Sequence, residues 1–165
     1  MVDAQIATHW LSEPEMRAWR AFISEATGLL AVLDNELQAA HGLSLGDYEV
    51  MAHLSEAPGT TLRMHDLAGR LHLSPSGITR RIDGLVRAGW VERQQCPTDR
   101  RGSNAVLTPA GGDKLRAVAP THVAGVRAHF IDRLTEQELA NLASALSAMH
   151  IDPDLAAGGC DASDS

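Results

Sequence analysis

From Pro14 to His41, apolar side chains recur at Trp19, Phe22, Ile23, Ala26, Leu29, Leu30, Leu33, Leu37 and Ala40. That three-and-four spacing predicts one long helix with a broad apolar stripe, ended by Gly42. A second helix fits Ser44–Ala57, with Leu45, Tyr48, Met51 and Leu54 inward and the turn pair Pro58-Gly59 behind it. A third, shorter helix fits Arg63–Leu71, where Met64, Leu67, Ala68 and Leu71 share a face.

Several local signals agree within residues 72–90, HLSPSGITRRIDGLVRAGW. Ser74 followed by Pro75 sets a capping hydroxyl beside a proline at the first helical position, where its missing N–H costs nothing. Ile78, Ile82, Leu85 and Val86 then form a narrow inward stripe, Ser76, Thr79, Arg80, Asp83 and Arg87 stay outward, and Gly89 stops the helix. WVERQ (90–94) and SNAVLTP (103–109) read as two short strands around the loop CPTDRRG, whose Arg100-Arg101 pair is expected to be exposed. After Pro109 the helical pattern returns, with Leu115, Val118, Ala119, His122, Val123, Val126 and Phe130 on one side. A last helix opens at Thr135-Glu136-Gln137-Glu138, a capping box, and carries Leu139, Leu142, Ala143, Leu146 and Met149. Residues 152–165 are small, polar and acidic, and disorder is expected there.

A length of 165 residues with 44% hydrophobic content fits one domain spanning 1–165. The aromatics are few (three Trp, two Phe, one Tyr), so aliphatic side chains must fill the core, which favours a mainly α fold with a small β-wing. No apolar run reaches the roughly 18–20 residues that span a bilayer, and the first residues carry neither a basic stretch nor an apolar signal core. A soluble, cytoplasmic protein without membrane association is expected.

The net charge of −7 hides an uneven distribution. Residues 63–101 hold eight arginines against four acidic residues, a balance of +4, so the rest of the chain stands at −11. One cationic segment is embedded in an anionic chain, a footprint expected of a nucleic-acid contact.

Two helices joined by a tight turn and followed by a strand ribbon with an arginine tip describe a winged helix-turn-helix. A helix about 12 Å wide fits the DNA major groove, so the outward face of residues 74–88 can bring Ser76, Thr79, Arg80 and Arg81 to base edges and phosphates. Ser74 and Arg63 are placed to meet backbone phosphate. Arg100 and Arg101 suit a narrow minor groove, with Asp99 as the brace that aims a guanidinium.

These residues resemble the multiple-antibiotic-resistance regulator (MarR) family of bacterial transcription factors. The resemblance covers about residues 15–150 and is strongest over ITRRIDGLVRAGWVERQQCPTDRRGSNAVLTPAG, with its Asp99-x-Arg101 wing and Leu107-Thr108-Pro109-Ala110-Gly111 junction. It implies six helices with a β-wing, a homodimer as the active species, and a repressor released from its operator by a small ligand or oxidant. The winged lobe is then 44–108, and the helices of 14–41 and 110–150 join the protomers. An independent argument also favours a dimer. One module reads few base pairs, whereas two read half-sites of a pseudo-palindromic operator about 34 Å apart, and the first and last helices exceed what the module needs to fold.

By the same resemblance, an effector pocket lies where the first and second helices meet the fifth. Trp19, Phe22, His41, Tyr48, Met51 and His65 are the candidates, and their aromatic walls would suit a small aromatic or phenolic molecule. Cys96 beside the wing is read as a tolerated loop residue, because relatives that sense peroxide carry their cysteine near the amino terminus. The eight histidines include no pair three or four residues apart, so no metal is expected. No glycine-rich phosphate cradle or nucleophile elbow occurs, and neither an enzyme nor a cofactor is expected.

Overall fold

The computed structural model describes residues 8–96 and 99–149, without the side chains of residues 96 and 99–101. The chain runs α1 (Glu13–His41), α2 (Leu45–Glu56), β1 (Thr61–Arg63), α3 (Met64–Arg70), α4 (Pro75–Arg87), β2 (Val91–Cys96), β3 (Asp99–Leu107), α5 (Pro109–His129) and α6 (Glu136–Met149). Capping side chains set where these helices begin. Ser44, Ser74 and Thr108 accept the N–H groups of Asp47, Gly77 and Gly111 at 3.1, 3.1 and 3.0 Å. Glu15 and Glu138 reach back to the backbone N–H groups of Ser12 and Thr135 at 2.6 and 2.8 Å. Gly42 ends α1 in the left-handed region at φ 61°, as the glycine stop requires.

The expected six helices and β-wing are present among the described residues, but the sheet has three antiparallel strands in the order β1-β3-β2. Thr61 pairs with Val106 and Arg63 with Asn104, while Val91 pairs with Leu107 and Gln95 with Ser103. Arg63 therefore closes a strand at the cap position of α3 instead of opening the helix.

The core lies in the winged lobe. Val50, Met51 and Leu54 of α2, Leu67 of α3, and Ile78, Ile82 and Leu85 of α4 pack with Val91, Ala105 and Leu107 of the sheet, and Leu33, Leu37 and Val118 cover them from α1 and α5. The α4 stripe is narrower than its sequence suggested, since Val86 is exposed. The N–H of Leu45 donates to Asp34 Oδ1 at 2.7 Å, joining α1 to the start of α2. Lys114 donates to the carbonyl of His41 at 2.8 Å and lies over the Trp90 ring, joining α5 to the end of α1 and the root of the wing.

Away from this lobe, apolar faces go uncovered. Of the α1 stripe only Leu33 and Leu37 are buried, while Trp19, Phe22, Ile23 and Leu30 are exposed. No residue of α6 is buried, and Leu146 and Met149 stand open. Phe22, Leu29, Phe130, Leu142 and Leu146 line an apolar groove between α1 and the α5–α6 junction. The tail expected to be disordered, 152–165, lies outside the described residues.

Candidate nucleic-acid interface

The turn between α3 and α4 is closed by the Leu73 N–H, which donates to the Ala68 carbonyl at 2.9 Å, and His72 takes the left-handed conformation at φ 50°. The Ser74 cap and Pro75 then start α4, whose buried Ile78, Ile82 and Leu85 turn the opposite face outward. Ser74, Ser76, Thr79 and Arg80 are exposed along that face. The Thr79 hydroxyl donates to the Pro75 carbonyl at 2.8 Å and keeps its lone pairs for an outside donor. Arg80 makes no hydrogen bond or ion pair with any described residue. A guanidinium held in solvent on a rigid helix keeps all its donors free for phosphate or guanine.

The adjacent arginine behaves differently. Arg81 turns back toward α2, where its Nη1 donates to Asp47 Oδ1 at 3.1 Å and to Ser44 Oγ at 3.3 Å. The expectation that Arg81 lies beside Arg80 on a DNA-facing surface is corrected by this contact, because one step along a helix rotates a side chain by about 100°.

Arg93, which sequence reasoning did not assign to the interface, braces β2 against α4. Its Nη2 donates to the Thr79 carbonyl at 3.2 Å and pairs with Asp83 at 3.0 Å. Its place two residues into a strand gave no signal of that partner. Arg63 is exposed and shares a crevice with Thr79, Arg93 and Ser103, between α3, α4 and the sheet. Asp99, Arg100 and Arg101 belong to β3, and their side chains, like that of Cys96, lie outside the described residues.

The six effector-pocket candidates do not converge within the chain. Met51 is fully buried in the core, and His65 is exposed beside the wing crevice. Trp19 and Phe22 sit on the outer half of α1, and with a rise of 1.5 Å per residue Trp19 is roughly 33 Å from His41 along the helix. His41 and Tyr48 do approach α5. His41 Nε2 lies 2.7 Å from Thr121 Oγ1, and the Tyr48 ring centroid is 4.4 Å from that of His122. Burial holds the His122 pKa below the ordinary imidazole range, with Glu49 opposing weakly, and pushes the Tyr48 phenol up. His122 Nδ1 is buried with no hydrogen-bond partner. Among the described residues, no group of three His, Cys, Asp or Glu side chains could hold a metal. Among the described residues, no helix is long and apolar enough to cross a membrane.

A capped helix with a buried inner face and a free polar outer face, set behind a tight turn and beside a three-stranded wing, defines a winged helix-turn-helix protein. Comparisons with known proteins narrow the class. The MarR family model matches residues 43–103. AbsC, a MarR family transcriptional regulator from Streptomyces coelicolor, is 42% identical over 86% of this chain and 95% of its own, with a TM-score of 0.80. Sco3205 from the same organism, a MarR family regulator solved in complex with DNA, is 36% identical over 86% of this chain and 89% of its own, with a TM-score of 0.82. The transcriptional repressor YetL of Bacillus subtilis is 32% identical over 90 residues, and the chain spans about half of its length (54%). The chain belongs to the MarR family, whose members are transcription regulators and not enzymes.

Proposed function

We propose that the chain is a dimeric, sequence-specific DNA-binding regulator, a repressor relieved by a small ligand and acting in the cytoplasm. The observation that carries this reading is the exposed face of α4, where Ser76, Thr79 and an unpartnered Arg80 stand on a helix anchored by three buried side chains. That face enters the major groove, Arg80 and Thr79 meeting base edges or phosphates and Ser76 adding a hydroxyl. Ser74 and Arg63 meet backbone phosphate, and Arg100 and Arg101 enter the minor groove with Asp99 as brace. Arg93 holds wing and helix at a fixed angle, so both grooves are engaged together.

The uncovered apolar faces of α1 and α6 support the dimer. An apolar groove flanked by exposed Trp19, Leu30, Leu146 and Met149 is the kind of surface a partner subunit covers. A two-fold axis through those helices sets two α4 helices on successive turns of a pseudo-palindromic operator. A small aromatic effector is read at the junction of α1, α2 and α5, where His41, Tyr48 and His122 offer rings and polar atoms. An effector favouring a protomer spacing mismatched to the operator needs only about 1–3 kcal/mol of coupling to empty it.

The test is fluorescence anisotropy on a duplex selected from a random pool by the wild-type protein. Arg101→Ala weakens binding by roughly 1–3 kcal/mol and lowers the salt slope by about one. An unchanged affinity and slope would refute the wing assignment. Failure of the wild-type protein to retain any duplex at low ionic strength would refute the function.

A further inference from the structure

Arg81 carries its charge to the N-terminus of a helix, away from the outward face that holds Arg80. Its guanidinium lies on the N-terminus of α2, against the cap residue Ser44 and the first-turn Asp47. The partial positive charge of a helix N-terminus disfavours a cation, and the carboxylates of Asp47 and of Asp34, which accepts the Leu45 N–H, offset it. The pair is partly buried, its side chains 30% and 31% exposed, and an ion pair of this kind contributes modestly to stability. The seat is nevertheless shaped for the group. Gly46 lies in the same helix turn, and a Cβ there would fall 2.6 Å from Arg81 Cζ and closer still to Nη1. The missing side chain is what lets the planar guanidinium lie flat against the backbone.

We infer that Arg81 is a positioning residue: seated over Gly46 between Ser44 and Asp47, it fixes the rotation of α4 about its own axis. It thereby fixes the direction in which Arg80 and Thr79 meet the bases. The inference rests on the DNA-binding reading of α4 and adds to it the residue on which sequence discrimination depends. The hydrophobic stripe of α4 is narrow, three side chains on one line, and such a stripe resists translation better than roll. A polar anchor at the stripe's flank resists roll, since turning α4 would pull Nη1 away from Asp47. The same helix end is tied to α1 by the Leu45 N–H donating to Asp34, so the orientation of α4 is referenced to the helix bearing the uncovered apolar face.

The test must separate positioning from a direct phosphate contact. Wild type, Arg81→Met and Gly46→Ala are titrated by anisotropy against the selected duplex and a scrambled duplex, each at several salt concentrations. Arg81→Met removes charge and anchor together. Gly46→Ala keeps the charge but evicts it, which the flexible side chain can accommodate without unfolding, as circular dichroism would verify. Both variants are expected to lose about tenfold in preference for the selected duplex, while scrambled-duplex affinity and salt slope stay at wild-type values. Two results would overturn the inference: a slope reduced by about one in Arg81→Met with Gly46→Ala like wild type, or wild-type discrimination in both. If wild type itself retains no duplex, the DNA-binding reading has failed. If wild type binds, the variants judge Arg81 alone. Asp47→Asn, which keeps the cap geometry and weakens the anchor, gives the same comparison should Arg81→Met not fold.

Discussion

Leu146→Ala should weaken dimerisation without weakening the protomer. Leu146 stands 42% exposed on α6 at the edge of the apolar groove, so its truncation removes little that the single chain buries. Covering an apolar side chain of this size fully is worth about 1.5–3 kcal/mol, so covering the exposed fraction yields roughly 0.6–1.3 kcal/mol. A two-fold interface uses the same residue twice, which doubles the loss to about 1.2–2.6 kcal/mol, or roughly 8- to 80-fold in the dimer Kd. Alanine keeps helix propensity, so α6 itself is not penalised. Sedimentation equilibrium over nanomolar to micromolar protein measures the shift, and urea unfolding of the variant under dimer-free conditions checks the protomer. A dimer constant within twofold of wild type, or a wild-type protein that is monomeric at micromolar concentration, would refute the reasoning.

The elements that could be read from the sequence are those whose causes are local. Helix α4 was legible because Ser74, Pro75 and the Ile78, Ile82 and Leu85 spacing all lie within four turns. Strand β1 was not, because three residues become a strand only through pairing with Ala105 and its neighbours some forty positions on. Val86 falls outside the buried stripe for a geometric reason. At 100° per residue it lies about 80° round from Ile78, on the margin of the stripe that Ile82 and Leu85 centre. Arg80 and Arg81 are the same residue type and adjacent, and only the fold brings Asp47 beside the second of them, leaving Arg80 in solvent and occupying Arg81. The effector candidates do not share one pocket within the chain because Trp19 and His41 lie toward opposite ends of a helix of 29 residues, a separation that side-chain chemistry alone does not reveal. His41 and Tyr48 do lie against α5, and His122, which completes that cluster, carries no signal in the sequence beyond its place on a helix face.

Ser74→Ala removes the hydroxyl that accepts the Gly77 N–H at 3.1 Å, at a cost of about 1 kcal/mol in the first turn of α4. Operator affinity should fall about fivefold or more by anisotropy, and an unchanged affinity would show that the first turn does not support the reading face. His122→Phe should flatten the acid side of the stability profile. In wild type, burial lowers the folded pKa of His122 below the unfolded value of about 6.5, so the unfolded chain takes up the proton first. Stability that is full at neutral pH is therefore lost as pH falls through about 6.5, and the loss levels off below the folded pKa. Phenylalanine keeps a ring against Tyr48 and removes both the proton site and the unpartnered Nδ1, so that portion of the pH dependence disappears. Urea midpoints at pH 7.5 and 5.5 decide it: the drop should be smaller in the variant, and an equal drop in both proteins would mean that His122 is not desolvated in the folded chain.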